Sequence, residues 1–364
     1  MTNDVEERLR RIRGGGEPKR HNARTIAALT TNPGCSRRAV LDAAGVDKAK
    51  LARHIGFPSQ FGQSQFALIR GNQFEAQVKA DGCAELITLL RAHLGLTLPE
   101  VSYEDLNDVA GNDDNRLRHR ETRNKLGRRD DPGTLFDHPM LTLNVAGQDV
   151  FLEPDLIAFQ VKGKFHIVEI KSFAVIDGQA DGSKVAAAAI QSAVYVLALR
   201  NLLMDKGFSP DDVSHNVILV TPKDFSNQPM VTFVDVRKQL TVLQRQLSRL
   251  TRIQDLLELV PERVSLSLDA DPGEVAFDLG SIEPRYMPEC LNTCELARFC
   301  RHEAQRSTYA MGRTVMEDLG GLDTVAAVLD LARGTREPGP DQVEVAALLR
   351  LAWSMREESL GAAA

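Results

Sequence analysis

The chain predicts an α/β fold in which a central sheet is flanked by helices and both ends are helical. Three observations predict it. Two β-rich segments, 150–161 and 165–173, flank Lys162-Gly163-Lys164, which reads as a hairpin turn. Residues 184–203 are rich in Ala, Val and Leu and contain neither Gly nor Pro, the composition of a helix. Leu240, Leu243, Leu247, Leu250 and Ile253 form an apolar stripe at helical spacing within Val236–Val260, which predicts one long amphipathic helix.

The remaining elements follow in chain order. Residues 1–20 carry Gly14-Gly15-Gly16 and many charges, so a mobile basic tail is expected. Short helices are expected over 21–56, with Pro33-Gly34 as a break and 37–44 as one helix. Residues 64–93 read as helical, and 101–140 as irregular with a turn at Asp131-Pro132-Gly133. Leu141–Val145 joins the two β-rich segments in the central sheet, and 216–220 and 231–236 add further strands. Pro338-Gly339-Pro340 sets off a last helix, in which Asp341 and Glu344 give a capping signal. The domain reading is a tail over 1–20, one body over 21–310 and a helical extension over 311–364.

The chemistry gathers around the hairpin. In the strand after the turn, Phe165, Ile167, Glu169 and Lys171 share a face, because strand side chains alternate with period two. With the turn centred on Gly163, Asp155 lies opposite Lys171 and diagonal to Glu169. Gln191 and Tyr195 are i and i+4 neighbours on the helix that follows. Singly, an E-x-K on a strand is an ordinary solvated pair, and a Gln and a Tyr on an Ala-rich helix are surface and core. Ordered together, strand, strand and helix describe one site. Buried carboxylates need a cation to offset their desolvation, and a hard divalent metal with oxygen ligands serves.

The set Glu-Pro-Asp155 … Glu169-Ile-Lys171 resembles the PD-(D/E)xK nuclease superfamily, and Gln191-x₃-Tyr195 resembles the motif of its RecB-like branch. Ile69-Arg70-Gly71-Asn72-Gln73-Phe74-Glu75 is similar to that branch's Gly-x₃-Glu element on the first core helix. The resemblance implies a restriction-endonuclease-like core with a mixed sheet, and a Mg²⁺ or Mn²⁺ site. Asp155, Glu169, Glu75 and the Ile170 carbonyl are then the expected ligands. It implies that Lys171 orients the attacking water or stabilises the developing charge, and that Gln191 and Tyr195 position the strand or the lysine. Read alone, Glu75 is an ordinary glutamate on an amphipathic helix.

Five cysteines occur, at 35, 83, 290, 294 and 300. Cys290-x₃-Cys294-x₅-Cys300 is too tight for ordinary core packing. No signal-peptide pattern opens the chain, so a cytoplasmic setting is expected, where clustered thiols indicate metal rather than disulfides. Cys35, in Cys35-Ser-Arg37-Arg38, resembles the Cys-x-Arg-Arg segment of the iron–sulfur nucleases, among them the CRISPR adaptation exonucleases and the AddB-type nucleases. There one cysteine precedes the nuclease core and three follow it, which implies a [4Fe–4S] cluster on Cys35, Cys290, Cys294 and Cys300 with a structural role. The relatives have two residues between the first pair of late cysteines where this chain has three, and a Cys₄ site also suits zinc. Cys83 is expected to be a buried structural thiol.

Composition sets the remaining bounds. The length, 364 residues, suits one elaborated domain or two small ones, and 43% hydrophobic residues can build a core. No apolar run approaches the roughly 18 residues of a membrane span. A net charge of −6 argues against coating nucleic acid by bulk attraction, yet Arg116–Arg129 holds seven cations and one acid. Arg116, Arg118, Arg120 and Arg123 are the expected phosphate contacts. DNA is therefore the expected partner, with a helicase, an integrase or another repair or defence protein as an accessory. The resemblance implies a stand-alone deoxyribonuclease, an exonuclease preferring single-stranded or free-ended DNA, in DNA repair or anti-phage defence. The alternatives are a restriction-type endonuclease or defence effector, and a non-catalytic DNA-binding scaffold with a structural Zn or Fe–S site.

Overall fold

The computed structural model describes residues 3–19, 21–59, 65–94, 101–107, 114–126, 134–161, 163–224 and 226–361. Arg20, the turn expected at 131–133, Arg128, Arg129 and Lys162 lie outside these residues. The chain runs through α1 (Asn3–Arg13), α2 (Ala23–Thr31), α3 (Ser36–Ala44), α4 (Lys48–His54) and α5 (Gln65–Leu94). Next come β1 (Ser102–Asp105), α6 (Asn115–Lys125), β2 (Thr134–Asp137), β3 (Leu141–Val145), β4 (Gln148–Leu152), β5 (Leu156–Val161), β6 (Lys164–Ile170) and α7 (Gly182–Met204). β7 (Asn216–Pro222) and β8 (Pro229–Asp235) complete the strands, and α8 (Arg237–Leu247), α9 (Ile253–Leu259), α10 (Pro272–Gly280), α11 (Ala297–Glu303), α12 (Arg313–Asp318), α13 (Val325–Arg333) and α14 (Val343–Gly361) follow.

Six strands form a mixed sheet in the order β1-β2-β5-β6-β7-β8. β1/β2 and β6/β7 are parallel, and β2/β5, β5/β6 and β7/β8 are antiparallel. Each parallel pair is joined through a helix, α6 and α7 respectively, as parallel neighbours require. Alternation along β6 divides the core. Phe165 and Ile167 face the larger cluster beneath α7, and Val168 and Ile170 face a second cluster with Phe74, Val78, Leu86 and Leu90 of α5. The window Lys184–Met204 is apolar and long enough to cross a membrane, and 61% of it is buried inside the protein, so its apolarity is that of a core helix.

Several expectations are corrected. Residues 3–13 are no tail: Val5, Leu9 and Ile12 recur at helical spacing and are buried, and Leu266 N–H bonds the Ile12 carbonyl at 2.8 Å. β3 does not join the central sheet. Ala146 and Gly147, both left-handed, close a two-residue hairpin that pairs it with β4 in a separate sheet. Pro154 then separates β4 from β5, because proline cannot donate to a ladder. The region 101–140 is not all irregular, since β1 and β2 supply one edge of the sheet. The long helix expected over 236–260 breaks at 248–252, and Ile253 N–H instead bonds the Ala146 carbonyl at 3.1 Å. Beyond residue 311, α13 and α14 share a small core of Leu322, Val328, Leu331 and Ala346.

The amino-terminal helices are fastened to the carboxyl-terminal third by α3. Arg37, 1% exposed, donates from Nε to the Ile282 carbonyl at 2.9 Å and pairs through its guanidinium with Glu303. Arg38 donates to the Thr293 carbonyl at 2.8 Å and to Asp42 Oδ2 at 3.3 Å. Asp42 also pairs with the buried Lys48 ammonium. Burial pushes the Asp42 carboxyl up, but Lys48, Arg38 and His21 outweigh it and hold the group below its ordinary 3.8. Its stabilising contribution is therefore present above that value and lost as pH falls through the depressed one. Asp42→Asn keeps the shape but strands two buried cations, and a loss of about 3–5 kcal/mol is expected. Urea unfolding at neutral pH checks this, and the same series at lower pH should show the variant losing less on acidification than the wild type.

Candidate metal site

The bulged hairpin β5–β6 sets the centre of the site. Leu156 pairs with Val168 and Ala158 with His166, but Val161 pairs with Lys164, so β5 carries one extra residue before the turn. The bulge moves the expected register by one residue, and the pairing of Val161 with Lys164, which leaves a two-residue turn in place of one centred on Gly163, moves it by another. Extended one position from the Leu156–Val168 pair, Asp155 falls opposite Glu169 rather than Lys171. Asp155 Oδ2 accepts the Ile170 N–H at 2.6 Å, so Ile170 enters the site through its amide.

Glu169 is fully buried. Its Oε1 pairs with the Lys171 ammonium, and its Oε2 has no polar partner among the described residues. Burial first, then the negative charge of Asp155, pushes the Glu169 carboxyl up to about 8, with Lys171 opposing. Burial also raises the Asp155 carboxyl, with Lys171 opposing and Glu75 adding to the rise. Burial works against the Lys171 charge, but Glu169 and Asp155 outweigh it and hold the ammonium protonated. Glu75, on the first half of α5, carries its charge into the same pocket and acts on Asp155, Glu169 and Lys171.

From α7, Tyr195 is 5% exposed and accepts from Gln191 Nε2 at 3.4 Å. Burial, Glu169 and Asp155 raise its phenol well above the ordinary value, so it stays a hydrogen-bond donor. The structure thus brings Glu75, Asp155, Glu169, Lys171 and Tyr195 into one pocket, with Gln191 behind the tyrosine. A buried carboxylate oxygen without a partner is costly. An orphaned carboxylate oxygen with Asp155 opposite it offers the oxygen donors that a hard divalent cation takes, while the ligand atoms of Glu75, Asp155 and Glu169 do not all lie within 4.8 Å of one another.

Beside this pocket a cleft of about 650 Å³ opens between the amino-terminal helices and the β3–β4 hairpin, and Tyr195, Glu153, Arg116, Lys19 and Arg13 line it. Of the four expected phosphate contacts, Arg116, Arg120 and Arg123 are exposed, and Arg123 lies 3.9 Å from Asp205. Arg118 is corrected. It is 5% exposed and forks onto both Glu153 oxygens at 3.1 and 2.9 Å, because α6 turns it inward against the Glu-Pro-Asp155 segment.

Sequence reading missed Lys79, Asp137 and Tyr103. Lys79 is i+4 from Glu75 and bonds it at 2.8 Å, a spacing that could have been read. Asp137 closes β2, a strand too short to register.

The cysteines form a second locus. Cys35 sits at the amino end of α3, and its Sγ accepts the Arg285 N–H at 3.5 Å. Cys300 Sγ accepts from Arg37 at 3.2 Å, and Cys290 Sγ from Asn32 at 3.5 Å. Burial pushes the Cys300 thiol up to about 12, with Arg37 opposing and Cys294 and Cys35 adding to the rise. Burial raises Cys294 to about 11, with Arg38 opposing. All four are free thiols, and among the described residues no three of their sulfurs lie within 4.8 Å of one another. Four thiols held by hydrogen bonds and flanked by two guanidiniums fit a thiolate-bound metal group. Cys83 is fully buried in the second core, where burial and the charge of Asp137 raise it to about 12.

No protein-family model, curated protein or solved structure matches the chain.

The raised Glu169 carboxyl has a consequence for the metal-free protein. A group whose folded value lies above its ordinary 4.5 favours folding below that value, and the contribution is lost as pH rises towards about 8. In chelator, Glu169→Gln should therefore gain stability relative to wild type as pH is raised from 5 to 8, by on the order of 1–3 kcal/mol. Urea unfolding at both pH values measures the difference, and a difference independent of pH would count against a buried, metal-free Glu169.

Proposed function

We propose that the chain is a metal-dependent deoxyribonuclease of the PD-(D/E)xK, RecB-like type, with a restriction-endonuclease-like core and an iron–sulfur cluster on its four clustered cysteines. The observation that carries the reading is the orphaned Glu169 oxygen, opposite Asp155 across the β5–β6 hairpin and two residues from Lys171. The residues that hold Mg²⁺ or Mn²⁺ are Asp155, Glu169 and Glu75, with the Ile170 carbonyl as a further donor. A divalent cation there supplies Lewis-acid polarisation of the scissile phosphate and a more acidic water.

The chain's own groups do the rest. The Lys171 ammonium donates to the negative charge that develops on the phosphate oxygens. Tyr195, kept protonated, donates to the strand or to the nucleophile's surroundings, and Gln191 fixes its hydroxyl. Arg116, on the wall of the adjoining cleft, holds a flanking phosphate, and the exposed Arg120 and Arg123 extend the basic surface. Water attacks phosphorus and gives one proton to solvent, a P–O ester bond breaks, and the departing oxygen takes a proton from solvent. A substrate with a free end suits a cleft walled by the amino-terminal helices.

The resemblance of Cys35-Ser-Arg37-Arg38 and the three late cysteines to the iron–sulfur nucleases favours iron–sulfur over zinc, while the three residues between Cys290 and Cys294 keep zinc as the alternative. Zinc–sulfur bonds of about 2.3 Å in a tetrahedron put sulfurs roughly 3.8 Å apart. A cubane instead spreads four thiolates over four irons, so four cysteines suit either group.

Asp155→Ala and Lys171→Ala are expected to lower Mn²⁺-dependent cleavage of single-stranded DNA by about a hundredfold or more while the proteins stay folded. Wild-type rates from folded Lys171→Ala protein would remove the assignment, and efficient cutting of a closed single-stranded circle would replace the exonuclease with an endonuclease. For the second locus, anaerobic protein should contain about four irons per chain. Cys35→Ala, Cys294→Ala or Cys300→Ala should each lose the iron and lower the melting temperature, whereas Cys83→Ser keeps it. Stoichiometric zinc without iron in metal analysis would make this a zinc site.

A further inference from the structure

We infer that Lys79 is a positioning residue for the acidic pocket, holding Glu75 in place by anchoring it to Asp137. The inference rests on the metal-site reading above and assigns a role to residues that reading does not use. The Lys79 ammonium lies 2.8 Å from Glu75 Oε1 and 2.8 Å from Asp137 Oδ1, and its side chain is 11% exposed. A lysine shared between two carboxylates in a half-dry setting fixes both.

Asp137 is the immobile end of the relay. Its Oδ2 accepts from Tyr103 Oη at 2.7 Å, and its Oδ1 accepts the His138 N–H at 2.8 Å besides Lys79. The His138 ring stands 3.3 Å from the same oxygen and 2.9 Å from Asp105. Oδ1 thus receives both Lys79 and the His138 N–H, and Oδ2 receives Tyr103. Asp105, Asp137 and His138 form the anchor, and their ligand atoms lie within 4.8 Å of one another, a spacing that also suits a metal ion. Glu75 differs, because its charge reaches Asp155, Glu169 and Lys171 while one oxygen is tied to Lys79.

The backbone supports the same role. α5 loses helical geometry directly after Lys79, and Asp81, Gly82 and Cys83 are all left-handed, at φ 51°, 65° and 61°. Only the glycine adopts this cheaply, and such strain is held where surrounding contacts over-determine it. The break ends the Glu75–Lys79 turn beside β1, where a Cβ added at Gly82 would make ordinary contact with the Tyr103 ring at 3.6 Å. Charge balance agrees. Glu75, Asp137, Asp155 and Glu169 against Lys79 and Lys171 leave two negative charges, which one divalent cation neutralises.

Groups that orient metal ligands from behind typically change metal affinity by about 10–100-fold when removed. Mn²⁺ binding without DNA, followed by the electron paramagnetic resonance signal of free Mn²⁺, tests the relay. Lys79→Met should weaken binding by about tenfold or more, Lys79→Arg should restore most of it, and Glu75→Gln should weaken it to a similar degree. The double variant Glu75→Gln/Lys79→Met should lose no more than Glu75→Gln alone, because Lys79 acts through Glu75, whereas a merely structural lysine would add its own loss. Wild-type affinity in Lys79→Met, additive losses, or no effect of Glu75→Gln would each overturn the inference. If Lys79→Met does not fold, Tyr103→Phe decides: weaker Mn²⁺ binding supports the relay and unchanged binding overturns it. Absence of Mn²⁺ binding in the wild type would instead defeat the metal-site reading itself.

Discussion

One fully buried carboxylate organises this molecule. Glu169 lies at the centre of the sheet, in β6, with strands on both sides and α7 above, and one of its oxygens meets no donor. Folding tolerates such a group only if it is neutral or if positive charge is close. The surrounding architecture supplies both conditions. Lys171 follows on the same strand, Asp155 is brought opposite by the hairpin, and the short β1 and β2 hold the Lys79–Asp137 pair at the sheet's edge. What looks like a set of separate motifs is one electrostatic problem with several partial solutions.

The second constraint is the clasp between α3 and residues 282–303. Arg37 and Arg38 are buried cations whose partners all lie beyond residue 281 or on their own helix, and two of the four clustered cysteines sit within hydrogen-bond reach of the same segment. α3 therefore touches the cysteine locus on one side and lines the cleft beside the acidic pocket on the other. Asp42, buried with Arg38 and Lys48, also lines that cleft.

Much of the site was legible because its residues obey local periodicities. Glu169 and Lys171 alternate on one strand, Gln191 and Tyr195 repeat on one helix, and the hairpin turn was marked by Gly163. The register was not legible, because neither the bulge nor the exact turn position leaves a mark in composition, and together they moved Asp155 from Lys171 to Glu169. Arg118 was misread for a related reason. A run of arginines announces charge, but only packing decides which one turns inward to grip Glu153. β1 and β2, four residues each, fell below the length at which alternation can be recognised. Residues 3–13 were hidden by their charge, since three apolar positions among many arginines suffice to bury one face.

The clasp also fixes an order of events during synthesis. Arg37 finds its partners 245–266 positions later in the chain. While the ribosome is still making the sheet, α3 emerges with Arg37 and Cys35 whose partners, residues 282–303, are not yet made. Contacts of such long range form late and slow the search for the native state. The nascent amino-terminal helices must therefore wait, exposed, for almost the whole body to be translated, and their need for protection from aggregation during that interval is built into the topology.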